Sequence, residues 1–422
     1  MDSRPAAANA SPPLPDAPST RQTGHALPSV ERLLAGHPRL LAATRDTLAA
    51  AGRDGVEHVH LEPVGRHDAS SGETGWRLRR RHDDGLEDRL LASDEALAEA
   101  LCRLADHGEA FTIGLGGEPR LIGLRTLPAF GGDTFLLTLF GGAFSPPSLD
   151  ALGLDPADLR AVRTLLARRS GWLAVGAAGP LDGARLVRAI AQEVVSPDRA
   201  VICLDRLPHP PIAGVVQLDA ARAVDETLAL DSDVVLLASD PPAGEALLGE
   251  LATRALGDFL VVRASVARRP SDILRELVAG GRSEAWLALA LPAVLMRNRV
   301  RLLCANCRLR VAHDDEASHR LGLRLAPRVH DVSAWLERSL AVRYRAGPGC
   351  ERCDGRGHVG ARDLTTIATS DEPVRQALRE GDLDTACSRL DRTVTLASRL
   401  GAMVAGGEVA VSEADRHLAA RY

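Results

Sequence analysis

"GWLAVGAAGPLDGARLVRAIAQEV" (residues 171–194) passes from a short apolar run, through a glycine-rich turn, into a helically spaced apolar segment. Strand, glycine turn and helix in that order are the setting of a phosphate-binding loop, where backbone amides and a helix N-terminus attract an anion. Nucleotide chemistry asks for more. In the pattern G-x-x-x-x-G-K-[ST], the lysine reaches the β/γ-phosphates and the hydroxyl holds Mg²⁺. Counted from Gly176, with Gly179 inside the turn, Leu181 takes the place of the second glycine. Asp182 then stands at the lysine and Gly183 at the hydroxyl residue. Arg185 comes three positions late, and its planar guanidinium is no substitute for a compact ammonium. An ordinary strand-to-helix turn has the same outline. The loop therefore reads as vestigial, which argues against ATP and Mg²⁺ as cofactors.

The lysine is missing from the whole chain: all 51 basic residues among 422 are arginine. Ordinary usage would supply roughly two dozen lysines. Codon pressure in a G+C-rich genome accounts for most of this, and the abundance of alanine, arginine, glycine and leucine agrees. Such pressure still leaves a lysine codon available where chemistry requires one, so the absence is most telling at the loop. A net charge of −5 and 3% aromatic residues speak against a nucleic-acid partner. The longest apolar run, "AWLALALPAVLM" (285–296), contains a proline and is too short to span a bilayer. The chain reads as cytoplasmic.

The length allows two to three domains. Residues 1–28 are rich in proline, alanine and serine and read as a disordered lead. Residues 29–145 form an α+β block. Helical spacing marks Leu33, Leu34, Leu40, Leu41 and Leu48 as one face, and "VEHVHLEP" (56–63) alternates as a strand. An arginine-dense strand "WRLRRRH" follows, then a helix N-capped by Ser93, then strands at "PRLIGLRTLPAF" and "DTFLLTLF". Residues 146–300 alternate apolar strands ("GWLAVG", "AVICLD", "GVVQLD", "DVVLLAS", "DFLVVRAS") with helical stretches, which predicts a mainly parallel sheet. A cysteine module occupies 301–365, with a helix expected at "DVSAWLERSLAV" inside it, and a helical tail fills 366–422.

Seven cysteines are present, and Cys102, Cys203 and Cys387 stand alone as small core residues or inert thiols. Cys304, Cys307, Cys350 and Cys353 form two C-x-x-C pairs 42 residues apart. In a cytosolic chain this spacing favours a metal over disulfides. Four thiolates close the shell of a structural zinc, and free or redox-labile thiols are the alternative. The string "CERCDGRG" also fits one copy of a co-chaperone zinc repeat, but the first pair lacks its glycines. A strand followed by an acidic residue is a second nucleotide-site feature. Here "DVVLLASDPP" ends in Ser239 and Asp240, with no glutamate, and a solvated loop is the plainer reading of Asp240.

Taken in order, these parts resemble the ATPase family of type II secretion and type IV pilus assembly, over about residues 30–420. "VEHVHLEP" resembles the family's "ASDIHIEP", "TLPAFGGDTFLLTLF" its "TLPTxxGExxVLRLL", and the tetracysteine module with "GHVGAR" its zinc-bearing subdomain and "GYRGR". The resemblance implies a RecA-like sheet domain after the small α+β domain, structural zinc on the four cysteines, and ring assembly. It also implies work with an inner-membrane platform protein, at the membrane's cytoplasmic side. The departures fall on the catalytic stations. The acidic "VEDPIE" becomes "LDRLPH", keeping only Asp205, and "GEIRD" becomes "ASDPP". Asp258 and Ser265 replace two histidines, and Gly123 and Thr138 replace two arginines that reach nucleotide in the family. The family's N-terminal adaptor domain has no counterpart in the low-complexity lead. The expectation is a catalytically degenerate relative serving as an assembly or regulatory subunit, its partner an active paralogous ATPase or the platform protein. The rival is a nucleotide-binding or residually active ATPase powering secretion or pilus assembly.

Overall fold

The computed structural model describes residues 27–53, 58–64, 75–82, 85–91, 95–108, 110–129, 132–139, 148–205, 212–220, 231–238, 244–311, 343–353, 355–392 and 396–419. The first block begins with helices α1 (Val30–Leu33) and α2 (Pro38–Arg53) and strands β1 (His58–Val64), β2 (Gly75–His82) and β3 (Gly85–Leu91). Helix α3 (Glu95–Ala105) and strands β4 (Ala110–Leu115), β5 (Glu118–Ala129) and β6 (Gly132–Leu139) complete it. The strands form one antiparallel sheet in the order β3-β2-β1-β6-β5-β4. Period-two alternation puts Val59 and Leu61 of β1 into the core with Leu97, Leu101, Phe111 and Phe135, leaving His58 and His60 on the other face. The leucine face expected over 30–53 packs here, but in two pieces. The chain turns at 34–37, and Pro38 opens α2, where a missing N–H costs nothing. β3 and β4 were not expected from the sequence. The Ser93 cap and the helix expected at 331–342 lie outside the described residues.

A 3₁₀ turn (Leu149–Leu152) and α4 (Pro156–Leu166) lead into the second sheet. Asp155 caps α4, its carboxylate accepting from the amides of Ala157 (3.0 Å) and Asp158 (2.8 Å). Then come β7 (Gly171–Ala177), α5 (Pro180–Val194), β8 (Val201–Asp205), β9 (Val215–Asp219) and β10 (Val234–Leu237). After them run α6 (Gly244–Arg254), β11 (Leu260–Val266), α7 (Pro270–Ala279), α8 (Glu284–Ala290) and β12 (Ala293–Leu303). A ribbon of β13 (Leu309–Val311) with β14 (Arg343–Arg345) precedes the long β15 (His358–Thr369). Four helices end the chain: α9 (Glu372–Arg379), α10 (Leu383–Arg392), α11 (Leu396–Ala405) and α12 (Val411–Ala419).

The sheet order is β15-β12-β7-β11-β10-β8-β9, parallel throughout except for the β12–β15 pair. Every residue of β7 is buried, as a strand covered by helices on both faces must be. Leu173 and Val175 pack towards Leu186 and Ile190 of α5. Trp172 and Ala174 face the opposite layer, with Leu251, Ile273 and Leu287. The terminal helices add Leu378, Leu390, Leu400 and Leu418 to that same layer. β15 carries the sheet across residue 365, so the cysteine module is an insertion between two paired strands. Among the described residues no helix is long and apolar enough to cross a membrane.

The last helix is fastened by one carboxylate. Glu413 on α12, its side chain 1% exposed, accepts from Arg301 of β12 (2.7 and 3.0 Å), Arg416 (2.6 Å) and His417 (3.3 Å). Burial raises its pKa, but His417 and the two arginines outweigh that and hold it well below the usual carboxylate range. A depressed carboxylate contributes stability above its unfolded pKa, near 4.5, and loses it as pH falls through the folded value. Glu413→Gln is therefore expected to destabilise docking of α12 at pH 7, with the gap from the parent chain closing below about pH 4. Hydrogen exchange of residues 411–419 against pH checks this; a gap that is constant down to acid pH contradicts it.

Candidate functional site

The turn after β7 lies at the carboxyl end of a central parallel strand, where open α/β sheets place their ligands. Gly179 is the N-cap of α5, with extended backbone and no side chain to satisfy the first amides. Pro180 starts the helix, and Asp182 sits in its first turn, where a negative charge suits the helix dipole. The Leu181 side chain lies outside the described residues.

Asp182 is partly exposed, and its carboxylate is engaged. Its Oδ1 is ion-paired with Nη1 of Arg297 on the neighbouring β12, and a Cβ added at Gly179 would stand 3.6 Å from its Oδ2. The Arg297 side chain is only 1% exposed, and its Nη2 donates to Asp363 Oδ1 of β15 at 2.6 Å. A buried guanidinium thus bridges two carboxylates from opposite sides, on segments 115 and 66 residues away in sequence. Gly183, at the hydroxyl station, is close-packed: a Cβ there would lie 3.1 Å from the Ala264 Cβ of β11. Arg185 is half-buried on α5.

The other stations are occupied in the same spirit. Asp205, at the end of β8, is buried and takes Arg188 of α5 at 2.5 Å. Ser265 is buried, 3.4 Å from Glu276, which also holds Arg263 at 2.6 Å. Asp258 is exposed and paired with Arg254 at 3.3 Å. Thr138 is buried and level with His58 and Gly123 in the first sheet, its hydroxyl 3.4 Å from His58 Nδ1. Ser239 and Asp240 lie outside the described residues. Sequence reasoning missed Arg297, Asp363 and Arg188. Only Arg188 left a local signal, one helical turn beyond Arg185.

The four cysteines converge. Cys304 and Cys353 are buried, Cys307 and Cys350 half-buried, and their sulfurs all lie within 4.8 Å of one another. Sγ–Sγ distances are 3.8 Å (Cys304–Cys350), 3.7 Å (Cys307–Cys353) and 3.8 Å (Cys350–Cys353). A tetrahedron of sulfurs ~2.3 Å from one ion has edges of about 3.8 Å, so the donor set fits a tetrahedral metal. Donors surround the sulfurs. Asn306 reaches Cys350 at 3.4 Å and pulls its thiol down to about 6, while the amides of Cys350 and Gly357 reach Cys353 at 3.2 Å each. Burial, with the crowding of neighbouring sulfurs, pushes Cys307 up to about 12. Gly347 is obligatory, since a Cβ there would stand 1.7 Å from the Cys307 carbonyl oxygen. Of the isolated cysteines, Cys203 and Cys387 are buried, with thiols raised to about 12 and 11 by burial, and Cys102 is exposed.

No protein-family model matches the chain. The type II secretion system protein E of Dickeya dadantii is 24% identical over 401 residues, covering 88% of this chain and 74% of that protein. The type IV pilus assembly ATPase PilB of Thermus thermophilus is 24% identical over 279 residues, 64% of this chain but only 30% of that longer protein. The X-ray structure of the Yersinia pseudotuberculosis ATPase DotB matches over 90% of this chain and 94% of its own, with a TM-score of 0.56 at 11% identity, a likeness of fold. The order of the two sheets, the four-cysteine insertion and these relatives agree: along most of its length the chain is similar to the ATPases of type II secretion and type IV pilus assembly.

Proposed function

We propose that this chain is a catalytically inactive member of that family, acting as an assembly or regulatory subunit of a secretion or pilus machine. The observation that carries the reading is the ion-paired Asp182 at the lysine station, in a chain without lysine. Phosphoryl transfer depends on positioned cations that neutralise developing charge. Here the loop presents a carboxylate, and the nearest buried cation is already shared by two. Removing one such stabiliser typically costs ~10²–10³ in rate, and losses within one constellation do not rescue each other. Zinc is the ion that four closed thiolates suit, and Cys304, Cys307, Cys350 and Cys353 would hold it as a structural cross-link.

A protomer that keeps the family's surfaces but does not cycle would act on its partners as a fixed element. It would enter a ring of an active paralogue or occupy the docking surface of the platform protein, on the cytoplasmic side of the inner membrane. The purified chain is expected to hydrolyse no ATP above background, and to change the ATPase rate of an active paralogue or co-elute with it or with the platform protein. Mg²⁺-dependent hydrolysis by the unmodified chain would instead establish the residually active reading. Asp182→Lys with Gly183→Ser is expected to leave turnover at background. A lysine at 182 would sit beside the Arg297 guanidinium, and a serine at 183 would press on Ala264. Measurable turnover in that double variant would contradict the explanation.

A further inference from the structure

We infer that Asp182 is an internal anion that occupies this loop in place of phosphate, and that it keeps a latent polyphosphate site closed. The inference rests on reading the turn as a former nucleotide loop, and it adds what excludes the ligand. Two features of the loop favour an anion: the start of a 15-residue helix and the Arg297 guanidinium beneath it. The Asp182 carboxylate stands at both: it is in the first turn of that helix and is paired with the guanidinium. Asp182 Oδ1 takes Arg297 Nη1, and Oδ2 stands on the Gly179 side, 3.6 Å from where a Cβ at that helix cap would be.

The two carboxylates on Arg297 are not equivalent. Asp363, 16% exposed, comes from the sheet itself and holds Nη2 at 2.6 Å, whereas Asp182, 28% exposed, belongs to the loop. Counted over these three side chains the formal charge is −1, which repels a phosphate. Removing the Asp182 carboxylate brings it to zero and leaves Asp363 to neutralise the buried guanidinium. It also frees the Nη1 edge towards the turn. A freed guanidinium edge next to a helix start is the kind of donor arrangement that a phosphate oxygen accepts.

The test uses the full-length chain and its Asp182→Asn and Asp182→Gly variants, with inorganic pyrophosphate as the probe in calorimetry. Freeing one charged hydrogen bond corresponds to an affinity gain of roughly 10–100-fold over the unmodified chain. The gain should disappear when Arg297→Gln is added to Asp182→Gly. Folded variants that bind pyrophosphate no better than the unmodified chain overturn the inference, as does a gain that survives loss of Arg297. These outcomes are separate from hydrolysis by the unmodified chain, which would overturn the functional reading instead.

Discussion

Arg297→Met is expected to destabilise the second sheet by about 3–5 kcal/mol, the cost of removing one partner from a buried charge cluster. Methionine has similar bulk, so the loss is electrostatic. Asp182 and Asp363, both only partly exposed, would be left near one another with no cation between them. The effect should be strongest where the triad joins the start of α5 to β12 and β15, and hydrogen exchange of those elements reads it. Adding Asp182→Asn and Asp363→Asn to Arg297→Met removes the orphaned charges and should recover most of the loss, because an uncharged cluster has no comparable desolvation penalty. An Arg297→Met chain with the parent's denaturant midpoint would show that the triad contributes nothing to the fold.

Loss of the metal proposed for the four cysteines is the second large expected effect. Structural zinc contributes apparent binding energies of ~10–16 kcal/mol in small peptides, so Cys304→Ser or a strong chelator is expected to unfold the module locally. The damage should reach the C-terminal helices through specific contacts. The Leu303 amide donates to the Glu408 carbonyl at 2.8 Å, and Arg308 donates to the Gly407 carbonyl while stacking on Tyr344 at 4.2 Å. Hydrogen exchange should therefore rise in 303–311, 343–357 and the turn before α12, while β7, β8, β10 and β11 stay protected. Elemental analysis showing no zinc in protein purified under reducing conditions would defeat the metal assignment. Unchanged exchange after chelation would defeat the coupling.

How far local sequence reached depended on the range of the interaction. Parallel strands buried on both faces have to be apolar almost throughout, so β7, β8, β10 and β11 were legible as runs, and the part-exposed edge strand β9 as a shorter one. Two cysteines three residues apart are a knuckle wherever they occur, and two knuckles specify a tetrahedral site before any fold is known. β12 was hidden for a physical reason. Its apolar first half runs on from α8 across Pro292 and reads as one 12-residue stretch, and its second half interleaves Arg297, Arg299 and Arg301 with Asn298, Val300 and Leu302. β3 (GLEDRLL) carries three successive charges and β4 (AFTIGL) an internal glycine, so neither shows the clean alternation of a strand. That the lysine was absent, and that an aspartate stood in its place, the sequence by itself determined. What the aspartate does there was decided only in three dimensions, because β12 and β15 must lie beside β7 before Arg297 and Asp363 can meet it. A charge pair between residues 115 positions apart leaves no periodicity or spacing in the chain. It exists only once packing has removed the water that would otherwise screen it.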